Sequence, residues 1–324
     1  MKYLLAANGP DKLQPKFDTS LRMTAELLKR GIGVDYLNQD SFDPFATDPH
    51  NFLHNIPVQK ITQVNLSDSK GFLVTENSPP AAVTDYQVIL QRLDPPVNDF
   101  FKAHARLFEK TPSHILQINN PRATPIYSEH ALPLKFAKYA TPTRICENLS
   151  QFQQALALFS PGESVAKPYD ECSGNGIEFL KPETPDETLK NYLAKWGPKI
   201  VVQKFIPEIS TLGDLRILMI NQKILGSVTR IPAKGSRLGN LHQGATAKAQ
   251  SPTSHQIEAS LKVAADLAAE GLHLLGLDFI GDFLNEVNIT SPSALVQVNE
   301  VSGVDHFPKL IDEIESLRQK QSHS

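Results

Sequence analysis

Apolar residues near the start of the chain form two short continuous runs separated by a segment with helical periodicity. The runs cover residues 3–7 and 34–37, and the segment between them begins after Asp18 and ends at Gly31. A polar cap residue before a 3.6-residue repeat and a glycine after it are typical helix boundaries. The pattern therefore predicts a β-α-β unit.

The same pattern continues through the first third of the sequence. It predicts a strand at residues 88–90, a helix at 99–109 and a strand at 115–118. Residues 39–84 are polar and rich in turn formers, so we expect irregular excursions at the sheet edge. We interpret residues 1–121 as an N-terminal α/β, Rossmann-like substrate domain.

Beyond residue 121 the pattern changes to short strands separated by polar loops and only a few helices, which predicts an α+β architecture. We expect a central subdomain at residues 122–200 and a C-terminal subdomain at 201–324. Helices are predicted around residues 129–139, 255–270 and 307–317, and the strands at residues 143–146, 164–167, 177–180, 200–203, 215–220 and 223–231.

One polar stretch near the C-terminus has a regular strand pattern. In residues 276–292, Glu286 and Asn288 alternate with Val287 and Ile289, so a strand directs both polar side chains to one face. Asp278 joins that face if the two strands of a hairpin pair it with Glu286. Two carboxylates and an amide are hard oxygen donors, which favour Mg²⁺, with Mn²⁺ as an alternative.

The length of the turn tests this interpretation. A three-residue turn of Gly281, Asp282 and Phe283 pairs Asp278 with Glu286, whereas a two-residue turn pairs it with Asn285. The alternative is an ordinary hairpin with an acidic exposed face.

Two further segments have the composition of a nucleotide site. Lys167 ends a strand before a loop containing Gly174 and Gly176, where backbone N–H groups can approach phosphate oxygens. Residues 203–206, which are Gln203, Lys204, Phe205 and Ile206, are candidates for a hinge that holds adenine. A surface hairpin and a buried strand end are the simpler alternatives.

Charged residues follow in the next two strands. Asp214 and Arg216 lie on one strand face, and Arg230 lies on the following strand. Arginine binds phosphate or carboxylate through two parallel hydrogen bonds, although a surface ion pair is the alternative interpretation. Residues 233–248 form a long polar loop, which is typical of a functional lid or of a disordered segment.

Composition restricts the possible functions. Lys plus Arg number 32 against 35 Asp plus Glu, giving a net charge of −3, which argues against nucleic-acid binding. The two cysteines are too few for a disulfide framework and are consistent with a reducing cytoplasm. No apolar run is long enough to cross a bilayer. We therefore expect a soluble, cytoplasmic protein without nucleic-acid or membrane partners.

In this order the segments resemble the ATP-grasp ligases, and specifically the bacterial glutathione synthetases, over nearly the whole chain. The motifs that carry the resemblance are Asp18-Thr19-Ser20, Asp94-Pro95-Pro96, Arg230-Ile231-Pro232, Gly239-Asn240-Leu241 and residues 276–292. The resemblance implies two α+β subdomains that hold ATP between antiparallel sheets, behind the N-terminal domain. It also implies a homodimer or homotetramer.

The resemblance implies roles for individual residues. The metal ligands would be Asp278, Glu286 and Asn288. ATP would contact Lys167, Gly174, Gly176, Gln203, Lys204, Phe205, Ile206, Asp214 and Asn240, and the catalytic arginines would be Arg216, Arg230 and Arg237. The implied reaction is phosphorylation of the γ-glutamylcysteine carboxylate by ATP, followed by attack of the glycine amine on the acyl phosphate.

The sequence also departs from the family pattern. His130 takes the place of a second nucleotide lysine, with Lys135 and Lys138 nearby but out of register, and Glu171 and Ser173 replace glycines of the loop. In the lid, one arginine is displaced to Arg237 and another is replaced by Thr246. Two alternatives therefore stay open: a ligase with another amino acid or γ-glutamyl substrate, and a nucleotide- or peptide-binding protein without turnover.

Overall fold

The computed structural model of the chain describes residues 1–67, 73–237, 239 and 244–322. Three sheets divide these residues in chain order, with six, four and five strands. The α-helices are α1 (Thr19–Lys29), α2 (Pro49–His54), α3 (Asp99–Leu107), α4 (Leu149–Leu158), α5 (Asp186–Trp196), α6 (Ile209–Leu212), α7 (Ser254–Ala268), α8 (Leu295–Ser302) and α9 (Phe307–Ser322).

The first sheet has the strand order β4-β3-β2-β1-β5-β6. Its central strands are parallel and largely buried, as expected for β-α-β connections. The Asp18 side chain begins α1 by accepting a 2.9 Å hydrogen bond from the Leu21 N–H. The strands are β1 (Lys2–Ala7), β2 (Gly33–Asn38), β3 (Gln59–Val64), β4 (Leu73–Asn77), β5 (Val88–Arg92) and β6 (Leu116–Ile118).

Two sequence predictions, for residues 39–84 and for residues 129–139, were wrong. Residues 39–84 contain α2 and the antiparallel strands β3 and β4, which extend the sheet at its β2 edge. Exposed polar residues in these edge strands had hidden the strand pattern. The helix expected at residues 129–139 is a short 3₁₀ helix, Leu132–Phe136, with a proline in its first turn.

The second sheet is antiparallel, in the order β7-β10-β8-β9, and α4 and α5 pack against it. Its strands are β7 (Thr143–Cys146), β8 (Ser164–Pro168), β9 (Glu178–Leu180) and β10 (Ile200–Lys204). β10 pairs with both β7 and β8, so residues Ile200–Lys204 belong to this sheet. The division of the chain into subdomains near residue 200 stays a prediction.

The third sheet is antiparallel, in the order β13-β12-β11-β14-β15. Its strands are β11 (Asp214–Ile220), β12 (Lys223–Ile231), β13 (Thr246–Lys248), β14 (Leu274–Ile280) and β15 (Phe283–Asn288). Val287 and Ile289 are fully buried in a core that includes Val263 and Leu267 of α7, as strand parity predicts. The polar residues of β15 therefore face away from α7.

The C-terminal helices connect the third sheet to the first. One hydrophobic core contains Leu5 of β1, Leu218 of β11, Val228 of β12 and Ile314 of α9. The Tyr3 hydroxyl also donates a hydrogen bond to Glu315. This shared core fixes the N-terminal domain beside the polar face of β14 and β15. Among the described helices, none is long and apolar enough to cross a lipid bilayer.

Candidate active site

A cavity of about 660 Å³ lies where the three parts of the chain meet. The N-terminal domain contributes Asp18, Ser20 and Arg92 to its walls. Most of the residues predicted from the sequence line it as well, and these are Lys167, Gly174, Lys204, Phe205, Ile206, Asp214, Arg216, Arg230, Arg237, Asp278, Glu286 and Asn288. The predicted residue Asn240 lies outside the described residues.

The hairpin of β14 and β15 pairs Asp278 with Glu286, as predicted, but not through the predicted turn. Ile280 pairs with Phe283, so the turn has two residues, and Gly281 adopts a φ of +56°. A β-bulge follows between Asp278 and Phe279 and leaves Asn285 as the extra residue on β15. The bulge therefore restores the pairing that a two-residue turn alone would shift by one position.

Asp278 is the charged centre of the cavity. Arg216 donates two parallel hydrogen bonds to it, from Nε to Oδ1 at 2.7 Å and from an Nη to Oδ2 at 2.6 Å, and Arg230 lies 2.8 Å from Oδ2. Burial opposes the charge on Asp278. The two guanidinium groups outweigh burial and hold the pKa of this carboxyl below its ordinary value. Asp278 is therefore a fixed anion.

The other predicted metal ligands lie beside it. The amide Nδ2 of Asn288 is 3.2 Å from Asp278 Oδ2, and the Glu286 side chain is 21% exposed in the same cavity. Among the described residues, no three His, Cys, Asp or Glu side chains form a group that could hold a metal ion. An ionised carboxylate, an accessible carboxylate and an amide fit a hard divalent cation.

Asp214 and Arg230 form a second buried ion pair next to the first. Burial raises the pKa of Asp214 above its ordinary value, and Arg230 opposes this rise. Asp214 Oδ1 and Arg230 Nε have no hydrogen-bond partner among the described residues. Buried polar atoms are seldom left unpaired, so these two atoms are free to bind a ligand. The backbone at Gly239 passes close to the Asp214 side chain, where a Cβ would come within 2.9 Å.

Lys167 brings a cation to the opposite wall. It lies on β8 opposite Val201 of β10 and is only 3% exposed. Burial lowers the pKa of Lys167, and the carboxylates of Glu286 and Asp214 oppose this effect. A buried ammonium facing carboxylates across a cavity is suited to bind the phosphates that would enter between them.

Glu129 is an important residue that the sequence did not reveal. Its Oε1 accepts hydrogen bonds from the backbone N–H groups of Ile289 and Thr290 at 2.6 and 2.8 Å and from the Thr290 hydroxyl at 2.9 Å. Burial, together with the charge of Glu286, raises the pKa of Glu129 to about 7. Glu129 fixes the end of β15, next to Asn288. These contacts span 160 residues or more, so local periodicity carries no signal for them.

The glycine loop is attached to the N-terminal domain. The Val97 N–H donates to the Asp170 carbonyl at 3.0 Å, and the Cys172 thiol lies 3.5 Å from the Pro95 carbonyl. Gly174 lines the cavity, as expected for a phosphate loop. Gly176 instead packs against Trp196, because a Cβ there would come within 2.7 Å of the indole. This packing explains Gly176 without a ligand.

The predicted hinge lies at the end of β10. Lys204, Phe205 and Ile206 line the cavity, whereas Gln203 is buried and donates from Nε2 to the Asn285 carbonyl at 3.2 Å. Gln203 thus joins β10 to the bulge of β15. Its Oε1 has no partner in the described part of the chain.

The sequence of residues 129–303 matches the ATP-grasp domain of prokaryotic glutathione synthetase, and residues 1–124 match the N-terminal domain of the same enzymes. The chain belongs to the prokaryotic glutathione synthetase family. A glutathione synthetase of Buchnera aphidicola subsp. Acyrthosiphon pisum is 32% identical over 97% of both chains. That of Buchnera aphidicola subsp. Schizaphis graminum is 29% identical over 93% of this chain and 92% of its own.

Solved structures share the fold of this glutathione synthetase family member. D-cycloserine synthetase DcsG has a TM-score of 0.66 at 12% identity, covering 98% of this chain and 99% of its own. A D-alanine–D-alanine ligase from Bacillus anthracis, complexed with ATP, has a TM-score of 0.60 at 13% identity, covering 99% of both. The predicted fold, an ATP-grasp architecture behind an N-terminal α/β domain, is confirmed. The protein is an ATP-grasp ligase, and such ligases use ATP with a divalent metal.

His130 stands at the position where the family resemblance predicts a second nucleotide lysine. His130 is 3% exposed, with Nδ1 2.8 Å from the Pro168 carbonyl and Nε2 3.9 Å from Glu286. Burial lowers the pKa of His130. Lys135 and Lys138 do not substitute for it, because they pair with Glu270 and Glu258 on the surface. The imidazole therefore adds no fixed positive charge to the site.

We predict that His130→Lys tightens the binding of Mg-ADP about 10-fold, because an ammonium would attract the phosphates that a neutral imidazole does not. Isothermal titration calorimetry measures the effect. His130→Gln, which keeps a neutral side chain, is the control and should bind ADP like the wild type. Equal or weaker binding in a folded His130→Lys protein would contradict the prediction.

Proposed function

We propose that this chain forms glutathione from γ-glutamylcysteine, glycine and ATP, through an acyl phosphate. Family membership supports the overall reaction. The observation that carries the assignment to this chain is the buried cluster of Asp278, Arg216 and Arg230, which lies opposite Lys167 in a cavity large enough for a nucleotide and a peptide.

The first step transfers the γ-phosphoryl group of ATP to the peptide carboxylate. The carboxylate oxygen attacks phosphorus, the bond to the β-phosphate oxygen breaks, and ADP leaves. Lys167 and the N–H groups near Gly174 would bind the phosphates, while Arg216 and Arg230 would stabilise the charge that spreads over the transferring group. Asp278 holds both arginines in position before the substrates arrive.

The second step joins the amine to the activated carbonyl. The glycine nitrogen attacks the acyl carbon, the tetrahedral intermediate loses inorganic phosphate, and one proton leaves the nitrogen. The arginines are placed to stabilise the oxyanion of that intermediate. Residues 233–248, of which residues 238 and 240–243 lie outside the described part of the chain, would cover the acyl phosphate and exclude water, which would otherwise hydrolyse it.

Mg²⁺ or Mn²⁺ is the divalent cation that we propose for Asp278, Glu286 and Asn288. When bound, it would neutralise charge on the nucleotide phosphates. Its residues fit that purpose because all three supply oxygen and Asp278 stays ionised.

The proposal is tested by incubating the purified protein with Mg-ATP and γ-glutamylcysteine and varying the amine. We expect glutathione and ADP in equal amounts with glycine.

Thr246, which the resemblance aligns with a family arginine, lies exposed on the edge strand β13. We therefore propose that other residues recognise the substrate carboxylate, and the choice of amine in the assay tests the specificity. Product with another amine but not with glycine would identify a ligase of different specificity. ADP binding without product from any pair would identify a nucleotide-binding protein.

We also propose that the protein is a cytoplasmic homodimer or homotetramer. Ile257 and Leu261 expose apolar side chains one helical turn apart on α7, at 36% and 44%, and this face could pack against another copy. Light scattering of the purified protein at several concentrations measures the state, and a monomer at every concentration would exclude the assembly.

A further inference from the structure

Arg237 lies in a cluster that none of the predicted roles requires. Its guanidinium is 2.8 Å from Glu163 and lies over two aromatic rings, with centroids at 5.0 Å for Phe179 and 5.4 Å for Phe205. The two rings also meet edge to face, with centroids 5.6 Å apart. We name these four residues the Arg237 cluster.

The cluster joins the polar loop to the central subdomain. Glu163 directly precedes β8, Phe179 belongs to β9 and Phe205 directly follows β10. The Phe205 N–H donates to the Glu163 carbonyl at 3.0 Å, so two of the residues that contact the guanidinium, Glu163 and Phe205, are hydrogen-bonded to each other. Arg237 is therefore held by two cation–π contacts and an ion pair on one side of the cavity.

The position of the cluster separates it from the phosphate and metal residues. Glu163 lies four residues before Lys167 on the same extended segment, which is about 13 Å at the rise of a strand. Phe205 and Ile206 belong to the hinge that the sequence predicts for adenine. Arg237 therefore covers the base end of the cavity, away from Asp278 and Glu286.

We infer that Arg237 is a nucleotide-positioning residue, which fastens the described part of the polar loop over the base end and completes the wall against which a purine packs. This inference rests on the proposed binding of ATP in the cavity. It replaces the expectation that Arg237 is a catalytic arginine, because its guanidinium is engaged by Glu163, Phe179 and Phe205.

The physical basis is the planar guanidinium. It stacks on aromatic faces and forms directed hydrogen bonds to a carboxylate at the same time, which a lysine ammonium does not do. Either contact alone is weak at a half-exposed site. Together they hold the loop against the hinge, and nucleotide binding would lose that support when the side chain is removed.

The test separates nucleotide from peptide effects. Arg237→Ala should raise the Kd for Mg-ADP and the KM for ATP about 10-fold, while the KM for γ-glutamylcysteine changes less than about 2-fold. Arg237→Lys keeps the charge near Glu163 but loses the planar guanidinium over the two rings. Its Kd for Mg-ADP and KM for ATP should lie between those of Arg237→Ala and the wild type. Lys181→Ala is the matched control, since it removes an exposed cation just after β9 that lies outside both the cluster and the polar loop.

Glu163→Gln provides a second variant that leaves Arg237 in place. It should weaken Mg-ADP binding by a smaller factor, and should have little further effect in a protein that already carries Arg237→Ala. Additive effects of the two changes would contradict a shared cluster.

Three results would overturn the inference. A rise in the KM for the peptide alone would return Arg237 to substrate recognition, and unchanged ADP binding in Arg237→Ala would make the cluster irrelevant to the nucleotide. Absence of ADP binding by the wild type would reject the inference together with the proposed function. Wild-type ADP binding without glutathione formation would reject the proposed reaction only, and the calorimetric comparison of the variants would still decide the role of Arg237.

Discussion

Glu286→Ala is expected to lower the rate of ATP-dependent ligation about 1,000-fold or more while leaving the protein folded. Loss of a ligand from an oxygen site removes several kcal/mol of charge stabilisation, and each 1.4 kcal/mol is a factor of about 10 in rate. The Glu286 side chain is partly exposed and contributes nothing to the apolar core. The free energy of unfolding should therefore change by less than about 1 kcal/mol.

Asp282→Ala is the control for this substitution. Asp282 lies exposed in the turn of the same hairpin, so its removal takes one carboxylate from the hairpin without touching the cavity. Steady-state rates and urea unfolding of both variants provide the comparison. A Glu286→Ala protein that turns over like wild type would exclude Glu286 from the metal site.

Asp278→Ala is expected to abolish ligation and also to destabilise the protein, by about 3–5 kcal/mol. This carboxylate pairs with both Arg216 and Arg230, which are 7% and 8% exposed. Its removal takes from Arg216 the carboxylate that it contacts, whereas Arg230 keeps Asp214. The cost of an unpaired buried charge exceeds that of the lost hydrogen bonds. Two residues predicted to bind one metal should thus differ in their effect on stability.

The measurement is urea unfolding in the absence of metal and nucleotide, which would otherwise stabilise the folded state. Asp278→Asn is the matched variant, because it keeps the shape and hydrogen-bonding capacity but loses the charge, and it should be destabilised less than alanine. If Asp278→Ala unfolds at the same urea concentration as Glu286→Ala, the buried cluster is not a source of stability.

The sequence supplied much of the candidate site because its residues lie in segments with strong local patterns. Strand parity placed Glu286 and Asn288 on one face, and the buried Val287 and Ile289 confirm that parity. The composition of two other segments supplied Lys167 and the candidate hinge. Neither source distinguished Gly174, which lines the cavity, from Gly176, which packs against Trp196.

By itself, then, the sequence determined the positions of many strands along the chain, although not of β3 and β4, the faces of β15 and the chemical type of the candidate ligands. Each of these follows from the pattern and composition of a single segment. Only the tertiary structure decided which groups meet. The bulge at Asn285, the pairing of Asp278 with two arginines and the anchoring of β15 by Glu129 depend on contacts between residues far apart in the chain. Such contacts form when the sheets pack, and no local repeat encodes them.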